Sequence, residues 1–333
     1  MFGTFRLLLA MAVVMAHMGA GLYEIHVGIV AVVCFYMISG YAMTALIESA
    51  YQNVPTDVVK FYADRFMRLA PQYYFYLAVC AFTVLALDWR ETIAQVGAPN
   101  VVNVFANITI VPLTFFMFDD SIGSLMLNMP TWTIGLEMCF YLILPWLLPS
   151  RTALWVATMI GAAVWAISTH GLIHPDFYSY RLLPGTLVFF VVGVAVQRRD
   201  WPLFAALVLF FVLDAASLYL VGKLTFVWNA SLLIGAALGC VTIPLLARLP
   251  RNRLDEQIGA GSYGCYLAHW IFVTALTAHR GEPWAIALGT IGSAAAGWAT
   301  YVIVEAPTVR FRRELRRRRL REAKADAALS VPS

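Results

Sequence analysis

Residues Thr4 to Leu22, TFRLLLAMAVVMAHMGAGL, form an apolar run long enough to cross a bilayer as a helix, with a cation near its start and an imidazole well inside. Arg6 and His17 are eleven residues apart, about three turns, so their side chains share one face roughly 16 Å apart along the axis. A histidine inside a spanning segment is costly, so a functional role is the first reading and a hydrogen bond to a neighbouring helix the second. The run also resembles a signal peptide, with a positive start and a cleavage site at Met18-Gly19-Ala20 whose use would remove both residues.

The rest of the chain fits a housing for this helix. Of 333 residues, 61% are hydrophobic, 14% aromatic and 13% charged, with a mean hydropathy of +0.75, whereas soluble domains are about 25% charged. The expected class is all-α, a polytopic bundle in the membrane. The net charge of +4 comes from loops and the C-terminal tail, which argues against a nucleic-acid partner. Cys34, Cys80, Cys139, Cys240 and Cys265 fall in apolar segments without paired spacing, so they read as small buried hydrophobes and indicate neither disulfides nor a metal site.

Apolar runs lie at about 5–22, 26–48, 67–88, 131–149, 152–170, 182–197, 202–221, 226–247, 260–278 and 284–304, giving ten candidate spans. The sixth is short, which fits a tilted or partly interfacial helix. With the N-terminus inside, 19 of the 23 Lys and Arg face the cytoplasm, and only Arg90, Arg181, Lys223 and Arg280 lie outside. That asymmetry obeys the positive-inside rule loop by loop. The longest connection, Trp89 to Pro130, is then external. Its apolar stretch from Val101 to Phe118 is broken by Pro112, so it reads as re-entrant or surface-lying rather than as two more spans. The basic run from Arg310 to Arg321 reads as a tail resting on anionic inner-leaflet lipid.

Against this apolar background a few polar residues stand out. Arg65 and Arg68, three apart at the start of the third span, put two guanidiniums on one helix face, suited either to phosphates or to a topology anchor. Glu137 lies about 9 Å into its span and His17 about 8 Å below the same face, so the two are expected to meet. A carboxylate beside a buried imidazole can hold it near neutrality as a general base. Ser39, Trp132, Tyr263, His269 and Glu305 are further candidates, with Ser39, Tyr263 and Trp132 as oxyanion donors. Gly40 reads as a helix-packing residue.

Taken in order, Arg6-x10-His17, CFYMISG, RFMRLAP, WTIGLE, SYGCYLAHW and VEAP resemble the motifs of the acyltransferase-3 family of integral membrane acyltransferases. The resemblance implies about ten spans with both termini cytoplasmic, in a bacterial inner membrane. It implies a transmembrane acyltransferase domain over 1–309 and a cytoplasmic tail over 310–333. It further implies an O-acyltransferase, acetyl being the commonest group, that uses cytoplasmic acyl-CoA as co-substrate, with no bound cofactor, and a surface glycan or lipid-linked saccharide as acceptor. His17 would be catalytic and Arg6, Arg65 and Arg68 functional. Two departures are Thr133, where the family often has serine, and a second span, HVGIVAVVCFYMISG, without the family's acidic residue. The rival class is a proton-coupled transporter or flippase with His17, Glu137 and His269 as a proton relay.

Overall fold

Helices occupy all ten apolar runs. The computed structural model describes residues 2–21, 24–51, 56–86, 97–250 and 252–312, together with 314, 317 and 318. Along the chain run α1 (Gly3–His17), α2 (Val27–Ala50), α3 (Thr56–Ala86), α4 (Val101–Thr109), the single turn α5 (Asp120–Gly123), α6 (Trp132–Leu147), α7 (Arg151–Thr169) and α8 (Leu183–Arg198). They continue with α9 (Trp201–Leu220), α10 (Asn229–Ala247), α11 (Arg253–Ala260), α12 (Ser262–Ala275) and α13 (Pro283–Thr300), and no strand occurs among the described residues. Six stretches, Val27–Ala50, Arg151–Thr169, Phe177–Arg198, Trp201–Leu220, Asn229–Ala247 and Pro283–Arg312, are long and apolar enough to cross a membrane. The chain is a multi-pass membrane protein.

The end expected for α1 and the interfacial placement open to α8 are corrected. α1 stops at His17 instead of reaching Leu22, because Gly19 takes a left-handed φ of 94° and the chain turns away. His17 therefore sits in the last turn of its helix, not well inside it. α8, expected to be tilted or interfacial, is the central helix, with 83% of its most apolar stretch buried. It packs against α2, and no side chain separates the two backbones. A Cβ on Gly40 would stand 1.9 Å from the Phe190 carbonyl oxygen, and one on Gly193 would stand 1.9 Å from that of Met37. The packing role read for Gly40 is the one it has.

α1 is held at both ends by parts of the chain far away in sequence. No side chain of its own caps its start; instead Asp255, in α11, accepts from the Gly3 and Thr4 amides at 2.8 Å each. A carboxylate there meets the exposed amides and the positive end of the helix dipole together. At the other end the Gly281 amide donates to the Met18 carbonyl at 2.8 Å.

The segment between α3 and α6 is built for lipid. On α4, Val101, Val104, Phe105 and Ile108 face outward, while the opposite face buries Asn103 and Asn107. Both asparagines are bonded inward: Asn107 donates to the Leu125 carbonyl at 2.7 Å and Asn103 completes a capping box with Asn100. A helix with its polar face inside and its apolar face outside suits a hydrocarbon solvent. Tyr73 and Tyr74 of α3 donate to the carbonyls of Asn107 and Ile108 and fasten it to the bundle. Arg90, in the same connection, lies outside the described residues, as does Arg251.

At the other end of the chain a wider π-helical turn over Tyr301–Glu305 follows α13 and delivers Glu305 to α3. Arg312, read as part of a lipid-resting tail, is instead buried and donates through Nε (3.1 Å) and Nη2 (2.9 Å) to Asp64. Most of the tail beyond it lies outside the described residues.

Candidate active site

A cavity of about 170 Å³ lies among α1, α2, α3, α6 and α12, and three arginines line it: Arg6, Arg65 and Arg68. Arg65 and Arg68 reach it from one face of α3, as their spacing assigns, and Arg6 from α1. Ser39, Glu137 and Tyr263 are among the other polar residues that line it.

The pairing of these groups is uneven. Arg65 donates to Asp64, which Arg312 also grips, and Nη1 of Arg65 lies 3.4 Å from the Met43 sulfur. Arg68 forms an ion pair with Glu305 at 2.7 Å, off the line of a hydrogen bond, and its guanidinium lies over the Tyr263 ring at 5.4 Å. The Arg6 guanidinium makes no hydrogen bond or ion pair among the described residues. Nε of Arg65, Nη1 of Arg68 and the Ser262 hydroxyl are likewise buried without a hydrogen-bond partner. Unpaired buried donors around a cavity are costly unless something fills it. Cations and orphan donors together suit an anion.

Glu137 takes two hydrogen bonds on one oxygen, from Ser39 Oγ and Tyr141 Oη, each at 2.5 Å. Its other oxygen has no protein partner among the described residues. Tyr263 donates to the Leu69 carbonyl at 3.1 Å. Ser39 and Tyr263 thus spend their hydroxyl protons within the protein.

His17 is elsewhere. Its partner is not Glu137, as counting depths suggests, but His269: the two nitrogens, His17 Nδ1 and His269 Nε2, are 3.1 Å apart. The rings lie 14° from parallel with centroids 5.1 Å apart, the spacing of two imidazoles joined edge to edge. Trp270 stands perpendicular to His17 at 6.0 Å, and His26 lies at 6.3 Å. Nε1 of Trp270 and Nδ1 of His26 are buried with no partner among the described residues. The link to the cavity is Tyr266, which lines it and whose ring is 5.4 Å from that of His269. Tyr266 Oη in turn meets Thr133 Oγ1 at 2.7 Å.

Of the remaining candidates, Glu305 sits at the cavity's edge through Arg68. Trp132 stacks instead beneath Arg181, whose guanidinium is 4.8 Å from its ring. Sequence reasoning passed over Asp64, Tyr141, Tyr266, His26 and Trp270. For the last two a signal existed: His26 opens a span, and Trp270 follows His269 in SYGCYLAHW.

Fold and site define a class: a helical membrane protein with a cation-lined cavity in its interior and a histidine pair beyond one wall. A family model described as an acyltransferase domain matches residues 3–303. The chain belongs to this acyltransferase-3 family and is a membrane acyltransferase. It is similar to an uncharacterized protein of Aquifex aeolicus (strain VF5), 23% identical over 151 residues that cover 43% of this chain and 68% of that protein. No solved structure matches the chain significantly.

Proposed function

We propose that this protein moves an acyl group, acetyl in the simplest case, from cytoplasmic acyl-CoA to a hydroxyl of an extracytoplasmic or lipid-linked glycan. The topology that goes with this has ten spans, both termini cytoplasmic, in a bacterial inner membrane. The observation that carries the reading is the single cavity lined by Arg6, Arg65 and Arg68. The phosphates of the donor would be held there by planar guanidinium forks, and the narrow pantetheine arm would run past Tyr266 toward His17.

His17 would take the proton of the attacking hydroxyl as a general base. A covalent acyl-imidazole on the same ring is the other route open to a histidine. The Trp270 indole N–H, a donor with nothing to donate to, fits the developing oxyanion better than Ser39 or Tyr263, whose protons are engaged. A proton relay through His17, His269 and Glu137 finds less support, since Glu137 is bonded to Ser39 and Tyr141.

Purified protein in lipid nanodiscs, given radiolabelled acetyl-CoA, should release CoA, and His17→Ala should stop the release. Arg65→Ala and Arg68→Ala should each raise the apparent KM on the order of ten- to hundredfold, the worth of one charged hydrogen bond. Lysine at either position should restore less than its charge would suggest. Unchanged KM in both alanine variants returns the arginines to a structural role, and a carrier would neither hydrolyse nor transfer.

A further inference from the structure

The contact between His17 and His269 fixes proton positions as well as a distance. Nδ1 of His269 faces the carbonyl oxygen of Tyr266. A carbonyl can only accept, so this nitrogen carries the proton, and Nε2 of a neutral ring is then a bare lone pair. That lone pair meets His17 Nδ1 at 3.1 Å. Two lone pairs would repel at this separation, so His17 Nδ1 must be the donor. Its own Nε2 is left bare.

The surroundings favour the neutral pair. His269 itself is fully buried, at 0% exposure.

We propose that His269 is a positioning residue that holds His17 in the Nδ1–H tautomer, so that Nε2 is the atom that removes the acceptor's proton. This rests on the acyl-transfer reading. In that step Nε2 takes the proton as the hydroxyl oxygen attacks the thioester carbonyl carbon. A C–O bond forms, the C–S bond breaks, and the proton on Nε2 passes to the departing thiolate, which leaves as free CoA. The hydrogen bond from Nδ1 to His269 turns the ring so that only one nitrogen is available, and it steadies the imidazolium in between.

The test uses full-length protein in nanodiscs with 15N- and 13C-labelled histidine, the six histidines being separated by loss of the His17 signals in His17→Ala. Nitrogen shifts and ring-carbon couplings report which nitrogen bears the proton, without any substrate. Wild-type His17 should show Nδ1 protonated and Nε2 bare. In His269→Phe this single tautomer should give way to a mixture, and kcat should fall on the order of a hundredfold with KM for acyl-CoA unchanged. His269→Gln offers an amide oxygen as acceptor and should keep both the tautomer and most of kcat, with both variants eluting as folded protein. A His17 that stays Nδ1-protonated in His269→Phe overturns the proposal, as does a wild-type ring with Nε2 protonated. Absence of acyl transfer by the wild type would defeat the functional reading while leaving the tautomer measurement standing.

Discussion

Glu137 and His17 illustrate what residue counting can and cannot locate. The 1.5 Å rise per residue gives the depth of a side chain in its span but not its direction around the helix. The two were expected to form one unit, yet each has its own partners, because α1 and α6 turn these faces to different neighbours. Histidines separated by 252 residues leave no local mark on a sequence, so the His17 partner could not be read from it. The three arginines could be, since an arginine in an apolar helix is conspicuous and must face inward. The coupling pattern follows the hydrogen bonds. Glu137→Ala combined with Tyr141→Phe should show an interaction energy of about 0.5–3 kcal/mol in unfolding of the detergent-solubilised protein. By contrast, Glu137→Ala and His269→Phe, sharing no partner, should have nearly additive effects on the logarithm of the rate.

Among the elements, the α2–α8 crossing was legible only in part. Gly40 in the FYMISGY run suggested close packing, but its counterpart Gly193 lies in a helix whose shortness pointed to the membrane surface. A short apolar helix is equally what a fully enclosed position requires, and composition does not separate the two cases. Gly193→Ala should force the backbones apart and lower stability by about 1–3 kcal/mol or more, read as an earlier thermal unfolding transition. Gly21→Ala, with nothing within 4 Å of the added atom, is the control. The clasp between α3 and the C-terminal extension was invisible, because a basic run reads as a solvated or lipid-bound surface until one of its members is seen buried. Burial alone would raise the Asp64 carboxyl, but hydrogen bonds from Arg312 and the adjacent Arg65 outweigh it and hold the group below the usual carboxylate range. A carboxyl so lowered in the folded state adds stability above its unfolded pKa, and that share is lost as pH falls through the folded value. Unfolding midpoints measured from neutral to acid pH should therefore drop, and Asp64→Asn should lower the neutral value and flatten the acid limb.

For the whole molecule, hydropathy carried the all-helical architecture, since a bilayer constrains element type more tightly than water does. A thiol introduced at Asp120 should react with an impermeant maleimide from outside intact cells, and one at Arg248 only after the membrane is opened; the reverse would invert the scheme. The fastening of α1 has a consequence for how the protein is made. The helix that bears His17 leaves the ribosome well before its cap, Asp255, and its partner imidazole, His269, both some 250 residues downstream. At about 5–20 residues per second, roughly ten to fifty seconds of translation separate them. Through that interval α1 exists without its Asp255 cap or its His269 partner, so a chain broken off before α11 cannot form the histidine pair. The histidine pair comes together only once α12 has been made.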